Sequence, residues 1–121
     1  MTPTPPPTSF VPIAISSGRF SGTDAVHFGS GTATILETSP GHHILRLADF
    51  SVLNGPDLFV YLSPDASGYV DGSLELGRLK ATNGSFNYDL PAGTDPAAFA
   101  SVLIWCKQFA HLFAVAPVAP G

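Results

Sequence analysis

Short apolar runs, rich in β-branched, aromatic and leucine residues, recur along the chain and are separated by residues that favour turns. The turn signals include Ser17-Gly18, Pro40-Gly41, Ser67-Gly68 and Asn83-Gly84. This spacing is typical of sandwiches and barrels. Every run is short, and the runs do not alternate with helical segments as they would in an α/β fold. The sequence therefore predicts an all-β fold, an antiparallel β-sandwich or flattened barrel of about eight strands, at residues 10–15, 33–36, 43–48, 58–62, 74–80, 85–90, 102–106 and 111–116.

Alternation within the runs predicts which strands are central. In residues 58–62 and 102–106 both the odd and the even positions are apolar, which is typical of strands covered on both faces. Gly77 interrupts the run at 74–80 and predicts a bulge or a close backbone approach. Both apolar strands are therefore expected in the interior of a sheet.

Two local signals each predict one turn at a particular place in the chain. Asn83-Gly84 between two strand-like runs predicts a tight hairpin, because the two-residue turn that matches strand twist needs positive φ at both central positions. Residues 95–101 combine an early proline with three alanines and predict a single helical turn. Neither changes the fold class.

The chain has 121 residues, enough for one domain. Five prolines within the first twelve residues predict an extended Thr/Pro-rich linker over residues 1–12, followed by a β domain over residues 13–116 and a tail over residues 117–121. The longest apolar run, at 102–106, is too short for membrane insertion. A Thr/Pro tether is common in periplasmic, secreted or surface-anchored modules, so we expect an extracytoplasmic domain whose targeting segment is absent from this chain; the alternative is a natural cytosolic start.

Charge and cysteine content exclude several classes of protein. Nine acidic and five basic residues give a net charge of −4, and the scattered bases form no stripe for nucleic acid. A single cysteine excludes an internal disulfide and zinc sites built from several cysteines. No Ser-His-Asp spacing, phosphate loop or nucleophile elbow is present, which argues against a hydrolase or a kinase.

Cys106 is the main candidate for chemistry. A thiolate can bind a metal, attack a disulfide or be oxidised, whereas a buried cysteine beside Val102 and Ile104 acts only as a small hydrophobe. Lys107 falls on the opposite strand face and is poorly placed to activate the thiol. The sequence leaves both roles of Cys106 open.

The histidines and acids allow a weaker alternative. His42 and His43 follow a turn and point to opposite strand faces, so a solvated turn competes with a role in chelation. Asp57 and Asp49 either cap turns or bind a cation or a substrate hydroxyl. A metal site from His27, Asp57 and one of the turn histidines is therefore a third hypothesis.

Several segments together resemble the DM-thirteen domain family, a small β-rich extracellular module found beside Skeletor-type, DOMON and b-type cytochrome domains. The resemblance covers about residues 16–116 and depends most on the Gly-Pro-Asp strand and the Trp-Cys pair. The segments are 18–22 (GRFSG), 31–33 (GTA), 47–50 (LADF), 54–63 (NGPDLFVYLS), 76–80 (LGRLK), 84–88 and 101–106 (SVLIWC), with His27, Phe109, Phe113 and Ala116.

The resemblance implies electron transfer or oxidative modification at cell surfaces. It assigns to Cys106 the role of a free thiol or of a ligand to a prosthetic group such as haem, with His27 as second ligand or proton partner. Trp105 and the other aromatics would offer a platform for a haem or a sugar; the alternative is that they belong to the core.

We therefore expect a secreted or cell-surface redox accessory domain centred on Cys106, and not a stand-alone enzyme. Its expected partner is a membrane cytochrome or another redox protein. The alternative is a non-catalytic module that binds a glycan or a protein. The oligomeric state is left open between a monomer and, if Cys106 is exposed, a disulfide-linked dimer.

Overall fold

The computed structural model describes residues 11–120. Most of the predicted Thr/Pro linker, residues 1–10, and the last residue of the predicted tail lie outside this range. Val11 and Pro12 are exposed and precede the first strand.

Ten strands and one 3₁₀ turn make up the described part of the chain, and each of the eight predicted runs overlaps a strand. The two additional strands have two residues each, too short to leave a periodic signal. In chain order the elements are β1 (Ile13–Arg19), β2 (Ser21–Gly22), β3 (Gly29–Ser39), β4 (His42–Val52), β5 (Leu58–Ser63), β6 (Leu74–Arg78), β7 (Asn83–Asp89), the 3₁₀ turn (Pro96–Ala98), β8 (Ser101–Cys106), β9 (His111–Pro117) and β10 (Ala119–Pro120).

The strands form two antiparallel sheets of five. The first sheet has the order β10-β1-β3-β4-β7 and the second the order β2-β9-β8-β5-β6. The sheets do not close on each other through strand pairing, so of the two predicted architectures the sandwich is confirmed.

The prediction that residues 58–62 and 102–106 form central strands is confirmed. β5 and β8 pair with each other and have a further strand on their other side. Their inward residues Val60 and Ile104 join one core cluster with the first sheet, while Leu103 and Tyr61, on the outward face, are also buried. Both faces of these two strands are therefore buried, one in the core between the sheets and the other on the outward side of the second sheet.

The outward face of the second sheet is covered by the segment between β5 and β6, residues 64–73. The fully buried hydroxyls of Ser63 and Ser101 donate to the carbonyls of Gly68 and Asp65, each at 2.6 Å. Because buried hydroxyls are costly without partners, these two bonds hold the segment against the sheet.

The predicted irregularity at Gly77 is a bulge. Val60 pairs with Gly77 and Tyr61 with Glu75, so Leu76 is the extra residue. Gly77 has φ +140°, a backbone conformation in which a residue with a side chain would be strained. The predicted helical turn is also found, with the Asp95 side chain accepting from the Ala97 amide at 3.0 Å.

The predicted hairpin at Asn83-Gly84 is wrong. Both residues lie inside β7, which pairs with β4 in the first sheet, whereas β6 pairs with β5 in the second. The chain crosses between sheets: the Leu79 amide donates to Leu58, and the Thr82 carbonyl accepts from the Val52 amide. Gly84 has a positive φ and pairs with Phe50 of β4, next to a register shift between Leu47 and Phe50.

The chain changes sheets again near its C-terminal end. β9 belongs to the second sheet and β10 pairs with β1 in the first, so strand pairing extends to Pro120, into the segment predicted as a tail. The Val118 amide donates to the Ala100 carbonyl at this crossing.

Gly18 of β1 lies against the crossing, and this contact generates a prediction. A Cβ on Gly18 would overlap the carbonyl oxygen of Pro117, a backbone atom that cannot rotate away. We expect Gly18→Ala to lower the free energy of unfolding by about 3 kcal/mol, the upper end for overpacking. Urea denaturation measures the loss.

The matched control is Gly68→Ala. A Cβ there meets no atom within 4 Å, and the φ of Gly68 is not in the left-handed range. This variant should unfold within about 0.5 kcal/mol of the parent. Equal stability of the two variants would contradict the crossing geometry.

Candidate functional site

Three connecting segments meet at one end of the sandwich: the loop before β3, the loop between β4 and β5, and the turn between β8 and β9. Between them lies a cleft of about 330 Å³. Two imidazoles and two phenyl rings contribute to its walls, which are formed by His27, Asn54, Gly55, Pro56, Phe109, His111 and Phe113.

The loop before β3 is shaped by Asp24. Its Oδ1 accepts the backbone amides of Val26 at 2.9 Å and His27 at 2.7 Å, the usual way in which an aspartate closes a turn. A Cβ on Gly22 would overlap the His27 carbonyl oxygen, so glycine permits the loop to fold back. The Thr23 hydroxyl donates to the Leu112 carbonyl at 2.9 Å and holds the loop to β9.

This folding brings Asp24, His27 and His111 together. The His27 Nδ1 lies 2.8 Å from both carboxylate oxygens of Asp24, and the two imidazole centroids are 4.6 Å apart. Phe113 meets both imidazoles edge to face, with its centroid 4.7 Å from that of His27. Two loops distant in sequence thus place a carboxylate and two imidazoles at the mouth of the cleft.

Hydrogen bonds lower the pKa of the Asp24 carboxyl to about 2, first from the His27 amide, then from the His27 imidazole and the Val26 amide. The ionised carboxylate only accepts hydrogen bonds, so the proton of the Asp24–His27 bond resides on Nδ1. The Nε2 of a neutral His27 is therefore the nitrogen that carries the lone pair.

The loop between β4 and β5 forms the opposite wall. A Cβ on Gly55 would come within 2.8 Å of the Phe113 ring, so glycine allows the loop to lie directly on it. The Asp57 carbonyl accepts the Lys107 amide at 3.0 Å, which connects this loop to the β8–β9 turn. A second cleft of about 140 Å³, on the other side of the loop, has Leu58 and Arg78 among its lining residues.

Cys106 is fully buried and is not in a disulfide. As the last residue of β8 it lies opposite Leu58 of β5 and His111 of β9. Leu58 lines the second cleft and His111 the first, whereas Cys106 lines neither. One layer of side chains therefore separates the thiol from each cleft. A disulfide-linked dimer would need an exposed thiol, and Cys106 is fully buried.

Trp105 lies on the other face of the second sheet. Its indole stacks on Tyr69 with 4.9 Å between centroids, and Tyr69 meets Tyr61 edge to face. Lys107 also faces outward, as alternation predicts, with its Nζ 2.7 Å from Glu75. The structure does not bring Trp105 to the side of Cys106.

The other predicted metal ligands are dispersed. Asp57 forms an ion pair with Arg78 at 3.2 Å, and His43 lies 3.4 Å from Glu37 on the β3–β4 hairpin. His42 lies 3.7 Å from Asp89. The residues that do join His27 are Asp24 and His111.

Sequence reasoning singled out neither Asp24 nor His111. The signal for Asp24 is its position just before Val26 and His27, because an aspartate at the start of a turn accepts the backbone amides two and three residues further on. His111 follows Cys106 by five residues across a short turn, so pairing of β8 with β9 places the two opposite each other.

Comparison with protein-family models decides the family. The model described as Electron transfer DM13 matches residues 19–118. This chain belongs to the electron transfer DM13 family. The match confirms the resemblance inferred from the sequence and encloses Asp24, His27, Cys106 and His111. Membership in the DM13 family supports a redox role.

Comparison with curated proteins and with solved structures gives no match. Residues 11–120 contain no helix that is long and apolar enough to cross a membrane.

Haem ligation by Cys106 does not fit this arrangement. An axial thiolate needs open space beside the sulfur for the macrocycle, and Cys106 has no exposed surface and packs in the core cluster. Trp105, which was expected to contact the same group, lies on the opposite sheet face. No redox step is therefore derived through haem at this cysteine.

The low pKa of Asp24 predicts a pH dependence of stability. A carboxyl whose pKa falls from 3.8 to about 2 on folding stabilises the protein above pH 3.8, and this stabilisation is lost as the pH falls towards 2. We expect the difference in free energy of unfolding between the parent and Asp24→Asn to decrease between about pH 4 and about pH 2.

Urea denaturation of both proteins across this pH range measures the difference, and the variant retains an oxygen that can accept the loop amides. If the difference stays constant from about pH 4 to about pH 2, the Asp24 hydrogen bonds are not formed in solution.

Proposed function

We propose that this DM13 domain is an extracytoplasmic accessory domain for electron transfer and that the Cys106 thiol is its redox group. The observation that carries the proposal is the position of the single cysteine within the family match, directly behind the cleft end of the sandwich. The Thr/Pro-rich first residues support a tethered location outside the cytoplasm.

The route to the thiol passes through the loop between β4 and β5. Leu58 and His111, the cross-strand neighbours of Cys106, line the clefts on the two sides of the Asn54-Gly55-Pro56 segment. Cross-strand neighbours have their Cβ atoms about 5 Å apart, so opening this loop leaves a single layer of side chains between solvent and sulfur. Loop openings of this kind cost less free energy than global unfolding.

The chemistry is thiol–disulfide exchange with a disulfide of a partner redox protein. The Cys106 thiolate forms a bond to one partner sulfur, the partner disulfide breaks, and the leaving sulfur takes a proton. A thiol of a second protein then attacks the partner sulfur of the mixed disulfide, forms a new disulfide with it and releases Cys106 as a thiolate, so that Cys106 returns to its starting state. Burial between encounters protects the thiol from irreversible oxidation.

Cys106→Ser separates this chemistry from simple packing. We expect the native parent to form a mixed disulfide with oxidised glutathione, detected by intact mass, and the variant to form none. The variant should also lose about 1–3 kcal/mol of stability, because the hydroxyl is buried in an apolar site.

Ile104→Val is the matched control, since Ile104 lies on the same strand face two residues away and its truncation costs about 1 kcal/mol. It should form the mixed disulfide as the parent does. If the parent reacts only after denaturation, the redox proposal is wrong and a glycan- or protein-binding module becomes the better account.

A further inference from the structure

The carboxylate and two imidazoles at the cleft mouth have the composition of a metal site. Within residues 11–120, Asp24, His27 and His111 each offer one ligand atom, and these atoms lie within 4.8 Å of one another. They come from two segments 84 residues apart in the chain, counted from His27 to His111. Cys106 is not one of these three residues, and the proposed thiol exchange does not involve them.

The two segments are held together independently of any ion. β2 pairs with β9 through Ser21–Val115 and Gly22–Ala114, and the Thr23 hydroxyl bond to Leu112 extends this pairing to the loop. The position of His27 next to His111 is therefore built into the sheet, which lowers the ordering cost of binding.

The Asp24–His27 bond also prepares the imidazole. Because the bond holds the carboxylate oxygens 2.8 Å from Nδ1, an ion that replaces the Nδ1 proton meets both ligands already side by side. His111 is exposed and its side chain can rotate towards an ion, while Asp24 keeps its Oδ1 on the loop amides and offers its Oδ2.

We propose that Asp24, His27 and His111 bind one divalent transition-metal ion, with water completing the coordination. Two imidazoles and a carboxylate suit Zn²⁺ and Cu²⁺, whereas Ca²⁺ and Mg²⁺ prefer oxygen-only sets. Bonds of about 2.0–2.1 Å place tetrahedral ligand atoms about 3.4 Å apart, so the widest separation, which is at most 4.8 Å, has to decrease by no more than about 1.4 Å on binding. The aromatic cleft beside the ion leaves its water positions open to an external ligand.

The test is calorimetric titration of the full, chelator-treated chain with Zn²⁺ at neutral pH. We expect one ion per chain, together with a Zn²⁺-dependent rise in the melting temperature. His111→Gln and Asp24→Asn should each weaken binding at least about tenfold and reduce the thermal shift.

His42→Gln is the matched control, because His42 is an exposed histidine that also lies near a carboxylate, that of Asp89. It should bind as the parent does. Cys106→Ser should also retain the ion, so loss of the thiol chemistry and loss of the metal site are distinguishable.

Absence of saturable binding at one ion per chain would overturn the proposal. So would binding that His111→Gln and Asp24→Asn leave unchanged, or that His42→Gln weakens to the same extent.

Discussion

The burial of the inward face of β8 is the interaction on which the rest of the structure depends. Val102, Ile104 and Cys106 have no exposed surface and belong to the cluster shared by both sheets. β8 also pairs along its length with β5 and β9, so it fixes the register of the second sheet. Its last core position is Cys106, and the turn that follows leads into the cleft end. The location of the thiol at the boundary between core and site follows from where β8 ends.

The parts of the fold that depend on side-chain alternation were predictable from the sequence. The apolar residues of β5 and β8 identify central strands because both of their faces are buried. The Asn83-Gly84 hairpin prediction was wrong because a local turn signal carries no information about which sheet the next strand joins. The chain between β6 and β7 crosses to the other sheet, with Leu79 partly buried against the core cluster. β2 and β10 have too few residues for a pattern.

The site was predictable only in part. Cys106 and His27 were identified through the family resemblance, whereas Asp24 and His111 come to His27 through an Asx turn and through β9 pairing. Such proximity depends on strand order and register, which composition does not encode. For the same reason Trp105, adjacent to Cys106 in the chain, lies on the opposite face, stacked on Tyr69.

The two proposals concern one end of the molecule, where a buried thiol lies behind an outer group of side chains that offer metal ligands. In the proposed exchange, a partner reaches the thiol through local opening of the β4–β5 loop. Labelling of Cys106 by an excess of thiol reagent, followed across sub-denaturing urea concentrations, tests this most directly. We expect Cys106 in the native protein to be labelled faster than global unfolding allows, with a weak dependence of the labelling rate on urea. Labelling that follows the global unfolding equilibrium at every urea concentration would contradict it.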